Sequence, residues 1–451
     1  MTDQPTPDPR TGSRTTSPGG GWGASGGPAW TGRAGVVLLV VAALVGRPDL
    51  ALVGALAVLV VVGGRRGGPA DVTARVDQVV EPDGPPGSLR ADLHLGVPSG
   101  ADAVRVRVDR PGYRAGEALV AVAGSRTLEV RVASVRTGRQ RLFRAQLQAV
   151  AGAGQHTGPV REAPAGEAVV LPRGRGLAEL PLPPRLRGST GQHRSRRPGD
   201  GGDLRDVHPL GPGDPPRRVD WRVTARRAPA LEQLYVRRTL ALAEATVTLV
   251  VDSRDDLGPD PATWGGTQPA RPDDSTSADL ARQAAASVAE GHLSLGDRVG
   301  MEDLGVRRRT LRVGTGRRQL DRLVQQLALI RPQGRPPDRV RAPQVTAGSL
   351  VYLFSTFFDD EPVHLARTWQ RTGHRVVAVD VLPQPRRTTD PRVELALRMV
   401  LIDRTDRLAA VRAAGIDVVR WADGAAATHL LEVARRSRRA PAHAGPRRGR
   451  G

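Results

Sequence analysis

The sequence predicts an α+β multidomain chain, with an N-terminal membrane hairpin, a small β-sandwich and then a doubly wound α/β domain. Three observations predict it. Two uncharged apolar runs, Ala34–Gly46 and Leu50–Gly64, lie back to back, split by Arg47-Pro48-Asp49. From about Ala70 to Pro172 apolar residues alternate with polar ones, the pattern of half-buried strands. Beyond residue 240, continuous apolar runs of strand length alternate with stretches of helical period, which argues for parallel strands covered by helices.

Composition bounds the function. A chain of 451 residues has room for two or three domains. All 67 basic residues are arginine; against 46 acids they leave a net charge of +21. Arginine without lysine, among abundant Ala, Gly, Val and Pro, matches the bias of a GC-rich coding sequence, so charge alone is no argument for nucleic acid. The absence of cysteine excludes disulfides, thiolate metal sites, Fe–S clusters and cysteine nucleophiles. Six Trp, three Tyr and four Phe leave little for a base-stacking platform.

Taken in order, residues 1–33 are Gly, Pro, Ser or Thr at 22 positions and are expected to be a disordered tail. Residues 34–64 form the expected transmembrane helical hairpin. Each run falls short of the roughly 20 residues that span a bilayer, since a 15-residue helix covers about 22 Å of a core about 30 Å thick. Trp30, Arg33, Arg47 and Arg65 are expected to supply the difference. The alternative is a buried soluble hairpin. Arg10, Arg14, Arg33, Arg65 and Arg66 flank the hairpin, which puts both termini in the cytoplasm of a two-helix protein of the cell membrane. The apolar stretch starts too far in, and is followed too closely by a second, for a cleaved signal peptide.

Residues 70–172 carry the β-sandwich. Leu93–Val97, Val104–Val108, Leu128–Val132 and Leu142–Val150 alternate, with Gly, Pro and Asp between them. Residues 173–240 are an arginine-rich connector. In the α/β domain, 241–435, Ala245–Val251 is a buried strand ending at Asp252, followed by a helix from Asp279 to Glu290. Asp297–Leu304 and Arg309–Val313 read as strands. Leu320, Leu323, Val324, Leu327 and Ile330 mark one face of a helix. Strands Leu350–Phe354 and Val376–Val381 flank a helix near Pro362–Thr372. A strand Ile416–Trp421 and a helix Ala425–Arg435 close the domain. Residues 436–451 carry arginines and no acid, and are expected to be a disordered basic tail.

The most specific stretch opens at Asp203-Leu204-Arg205 and continues through Gly213-Asp214, Arg217, Val219-Asp220-Trp221 and Thr224-Ala225-Arg226. Pro215-Pro216 stiffens a turn after Gly213-Asp214. Asp214 and Asp220 have Arg217, Arg218 and Arg226 within reach for bidentate pairs, and Trp221 can carry a stacked guanidinium. A structural ion-pair network and a partner-docking surface are both open readings of these residues. His208 reads as a loop hydrogen-bonder. The stretch resembles the signature of the domain-of-unknown-function 58 family, in which an acidic-Leu-Arg opening leads to Gly-Asp-x-x-Arg-x-Ile-Asp-Trp-x-x-Ser-Ala-Arg. Val219 stands for the Ile and Thr224 for the Ser. The resemblance implies a membrane-associated protein carrying a von Willebrand factor type A-like domain, with a MoxR-type AAA+ ATPase as its protein partner.

Domains of that type place Asp-x-Ser-x-Ser after their first strand to hold Mg²⁺, where a carboxylate and small hydroxyls leave a vacant position for a partner's carboxylate. Here the segment reads Asp252-Ser253-Arg254-Asp255-Asp256, so Arg254 and Asp256 replace both serines. The later acidic position falls at Ser355 or Thr356, and Thr315 stands as the motif's threonine. A guanidinium in the pocket competes with a metal. The expectation is therefore a degenerate site serving protein contact, without a cofactor; a Mg²⁺ ion, if held, would take Asp252, Asp256 and Thr315. A Mg²⁺-dependent hydrolase built on Asp252, Asp255 and Asp256 lacks a paired base, a phosphate-binding loop, a nucleophile elbow and a His-Glu-x-x-His motif. The net charge also admits binding to nucleic acid or anionic lipid, though scattered arginines argue against nucleic acid. The reading is a membrane-anchored, non-enzymatic scaffold, with a lipid bilayer and a MoxR-type ATPase as partners. Its contact face is expected at the loops around Asp252–Asp256, Thr315 and Thr356, because open α/β sheets bind ligands at the carboxyl ends of their strands.

Overall fold

The structure is a computed structural model that describes residues 23–24, 26–63, 72–80, 87–97, 100–110, 114–121, 124–151, 156–163, 166–184, 186, 191–266, 268–305, 309–332, 342–422 and 424–439. Two compact units divide the chain: Met1–Val135 with Arg139–Val170, and Arg136–Gly138 with Leu171–Gly451. Of the expected disordered segments, 1–22 and 440–451 lie outside the described residues. Arg436–Arg439 extend the last helix, Ala426–Arg439, rather than starting a tail.

In the first unit two helices, Gly26–Val45 and Pro48–Gly63, form a hairpin. They approach closely at two glycines. A Cβ on Gly54 would sit 2.8 Å from the carbonyl oxygen of Gly35, so backbone meets backbone as small residues permit. The hairpin is helical, but the membrane span is overturned: among the described residues no helix is long and apolar enough to cross a membrane. The first helix spends its opening turns on Gly26-Gly-Pro-Ala-Trp-Thr-Gly-Arg33. The second has 16 residues, about 24 Å against the ~30 Å of a hydrocarbon core.

The period-two stretch forms two antiparallel sheets. One joins Thr73–Val80, Ser88–Gly96 and Ser125–Ala133. The other pairs Ala103–Asp109 with Gly116–Ala121 and Gly138–Ala151. Along Ser88–Gly96 every second residue is buried. Leu89, Leu93 and Leu95 meet Val104, Val106 and Leu147 of the other sheet in one core, as sandwich packing requires.

The second unit is built on a six-stranded sheet, whose strands are numbered here: β1 (Thr246–Val251), β2 (Arg298–Asp303), β3 (Leu311–Gly314), β4 (Leu350–Ser355), β5 (Arg375–Asp380) and β6 (Asp417–Arg420). Their spatial order is β3-β2-β1-β4-β5-β6. All neighbours are parallel except β3, an antiparallel edge on β2. The helices are α1 (Ser277–Ser294), α2 (Gly316–Leu329), α3 (Glu361–Arg371), α4 (Pro391–Ala413) and α5 (Ala426–Arg439). Strand alternation feeds two cores. Val247, Leu249 and Val251 pack with Ala284, Val288, Leu323, Leu430 and Val433 on one face. Val250, Val351 and Leu353 pack with Val363, Trp369, Leu408 and Val411 on the other. Both faces of β1 and β4 are buried throughout, which is why these strands read as unbroken apolar runs.

Two elements here escape the sequence reading. Helix α4 runs 23 residues, yet its apolar side chains do not gather on one face: Leu408 and Val411 are buried while Leu395, Met399 and Ile402 are exposed. The connector holds an antiparallel ribbon of His193–Pro209 and Tyr235–Ala243, whose register shifts between Arg194 and Pro198 and again between Gly199 and Asp206, breaking the period-two signal.

Candidate functional site

Strand order reverses between β1 and β4, so the loops after these strands diverge and leave a crevice at their carboxyl ends. Asp252 directly follows β1 and is held there by its N–H, which donates to Phe354 O at 2.9 Å. Its carboxylate is fully engaged. Arg254 donates Nε to Oδ1 at 2.7 Å and Nη2 to Oδ2 at 2.9 Å. Ser355 Oγ, at the end of β4, donates to Oδ2 at 2.7 Å.

The same guanidinium reaches further. Nη1 donates to Asp359 Oδ2 at 2.9 Å and to Glu361 Oε2 at 2.7 Å, and Nη2 donates to Asp359 Oδ1 at 3.1 Å. Arg254 is 5% exposed. Burial works against its charge, but the carboxylates of Asp252 and Asp359 overcome that and hold it more firmly protonated than a free arginine. One internal cation thus bridges three carboxylates, from the residue after β1, the loop after β4 and the start of α3. Beside it, Ser253 Oγ donates to Asp303 Oδ1 at 2.6 Å, which also accepts the Gly305 N–H at 2.9 Å. On the far side, Arg404 of α4 pairs with Asp380 and donates Nε to Thr356 O at 2.7 Å.

Of the three residues expected at a metal, only Asp252 lies in this crevice's polar cluster. Asp256 pairs instead with Arg136, 3.3 Å away, beside a segment in which Thr137 donates its N–H and Oγ1 to Asp279 at 2.7 and 2.8 Å. Thr315 sits at the opposite end of the sheet. It follows Gly314, which pairs with Val299, itself opposite Val247; Asp252 is five residues further along β1, roughly 17 Å at strand rise. The antiparallel direction of β3 carries Thr315 there, and it is exposed at the start of α2. Among the described residues no three His, Asp or Glu side chains are grouped as a metal requires. The sequence reading missed Asp359 and Glu361; the acidic run Asp359-Asp360-Glu361 directly after β4 was the available signal.

Next to this cluster lies an open apolar groove of about 420 Å³, lined by Asp255, Leu257, Trp264, Phe358, Leu397 and Val400 among others. Trp264 meets Phe358 edge-on, with centroids 5.3 Å apart. Along the same helix, Leu395, Met399 and Ile402 are 60%, 62% and 56% exposed. These large apolar side chains stand in water rather than in a core.

The signature segment separates into two sets of residues. Gly213 takes φ +88°, open to glycine at no cost. Asp214 accepts the Gly211 N–H at 3.0 Å and pairs with Arg238 at 3.3 Å; these contacts, the Gly211 N–H first, hold its carboxyl below the ordinary range. His208 Nε2 lies 3.3 Å from the same carboxylate. Asp220 caps helix Trp221–Arg227 by accepting the Arg222 and Val223 N–H groups, each at 3.1 Å, and pairs with Arg237 at 2.8 Å. Thr224 is fully buried and accepts the Tyr235 N–H at 3.0 Å. The acids' partners are therefore Arg237 and Arg238 of the ribbon, not the expected Arg217, Arg218 and Arg226. Asp203 and Arg205 lie on the ribbon's first strand, where Arg205 pairs with its neighbour Asp206. Arg217, Trp221, Ala225 and Arg226 are all exposed, and among the described residues no guanidinium stacks on Trp221.

Residues 206–396 match the family described as "Protein of unknown function DUF58". The match takes in most of the signature, the crevice and the first turns of α4. No curated protein matches the chain.

Proposed function

We propose that the second unit is a protein-binding module of a non-enzymatic scaffold, and that its contact face is the apolar groove at the carboxyl ends of β1 and β4. The carrying observation is the exposed apolar surface of Trp264, Phe358, Leu397 and Val400, extended by Leu395, Met399 and Ile402. It lies where open α/β sheets bind ligands, beside a polar cluster whose carboxylates are spent on Arg254. With Asp252 saturated by Arg254 and Ser355, its carboxylate is not open to a metal ion or to proton transfer, which supports binding over hydrolysis at that residue. The order β3-β2-β1-β4-β5-β6 with an antiparallel edge supports the von Willebrand factor type A-like reading. The partner proposed is a MoxR-type AAA+ ATPase, on the strength of the family resemblance.

The test is binding of a purified MoxR-type ATPase to the full chain and to Leu397→Asp and Val400→Asp variants, followed by sedimentation. A charge placed in the apolar groove is expected to weaken the complex at least about tenfold, as for an interface anchor. Unchanged binding by both variants would move the face elsewhere, and absence of binding by the parent chain would remove the partner.

A further inference from the structure

The signature residues without a structural duty form a surface of their own. Helix Trp221–Arg227 buries Thr224 and half-buries Val223. At 100° per residue, Trp221, Ala225, Arg222 and Arg226 fall on a contiguous arc of about 140° opposite that buried edge. All four are exposed, Trp221 by 64%. The side chains of Arg222 and Arg226, and of Arg217 in the preceding turn, make no ion pair or hydrogen bond among the described residues. From Gly213 to Ala230 five arginines face two acids. Both acids, Asp214 and Asp220, are already neutralised by Arg238 and Arg237. The helix N-terminus is itself closed by Asp220. What remains is an indole beside a small alanine, flanked by unneutralised guanidinium groups.

We propose that this arc is a second docking surface, sharing no residue with the groove, and that it takes an acidic polypeptide segment of a partner. Trp and Arg are the side chains that most often anchor protein interfaces. A free guanidinium binds a carboxylate through two parallel hydrogen bonds, and Ala225 leaves the face of Trp221 open for an apolar side chain between the acids. The arc is about 10 Å long with one aromatic ring, whereas a single-stranded nucleic acid calls for successive stacking platforms along a basic groove.

The experiment is fluorescence anisotropy of a labelled peptide of Glu and Leu residues titrated with the full chain at low and moderate salt. A labelled oligonucleotide and phosphatidylglycerol vesicles are run in parallel. The peptide is expected to bind in a salt-sensitive manner. Trp221→Ala and the double variant R222E/R226E are each expected to lose about tenfold or more, while Val400→Asp binds as the parent does. Substitution at these exposed, unpartnered positions leaves the fold intact, which circular dichroism verifies. The proposal is overturned if the parent fails to bind the peptide, if both arc variants bind it unchanged, or if the oligonucleotide or the vesicles bind more tightly than the peptide.

Discussion

Replacing Arg254 by methionine tests the reading of the crevice most directly. Methionine keeps most of the buried volume and removes the charge. The guanidinium makes five side-chain hydrogen bonds to Asp252, Asp359 and Glu361. Removing one partner of a buried ion pair costs about 3–5 kcal/mol, because the other charge is left without compensation. Asp359 and Glu361 keep side-chain exposures of 21% and 15%, so water relieves part of the penalty and the lower figure, about 3 kcal/mol, is expected. For a unit of this size that corresponds to a fall of roughly 6–12 °C in Tm. Trp369 and Trp421, buried in this unit, report the transition by fluorescence. A loss below about 1 kcal/mol would refute the claim that Arg254 is the internal counter-ion of this crevice.

Two further outcomes follow from other parts of the second unit. Thr224→Val keeps shape but leaves the Tyr235 N–H without its acceptor; a loss of about 1–3 kcal/mol is expected in urea unfolding, and a neutral result would show that water replaces the hydroxyl. His292 and Asp297 give a pH signature. His292 is fully buried, hydrogen-bonded to Asp297 at 2.8 Å, and burial holds it below its ordinary 6.5 despite that carboxylate. Burial opposes the charge of Asp297, but hydrogen bonds from His193 and His292 hold it below 3.8. A histidine with a lowered folded pKa favours unfolding once the unfolded chain takes up its proton, so stability should fall as pH drops below about 6.5. The stability supplied by Asp297 is present above 3.8 and is lost as pH falls through its lower folded value. In urea midpoints measured between pH 8 and 5, His292→Gln should remove the decline near 6.5; a parent curve flat across that range would count against a neutral buried His292.

The strands and most helices of the α/β unit were legible because burial on two faces leaves a plain signature. Ala245–Val251 and Leu350–Phe354 can only be central strands when both sides are covered, and α2 shows its inner face as Leu323 and Leu327. The signature segment was legible as a pattern of residue types, and so was the guanidinium in the place of a hydroxyl at Arg254. Tertiary structure alone decided the rest. The apolar hairpin is helical, yet neither helix is long and apolar enough to span: the second stops at 16 residues, and the first spends its opening turns on small and polar residues. Helix α4 escaped detection since part of its apolar surface is not buried at all, and period reports only burial. Which arginine pairs with which carboxylate depends on ribbon register, invisible along the chain: Arg237 and Arg238 lie some twenty residues from the acids they hold. The direction of one edge strand put Thr315 at the far end of the sheet. Chain order fixes neighbours within an element; distances between elements come only from how the elements pack, and the crevice is made entirely of such distances.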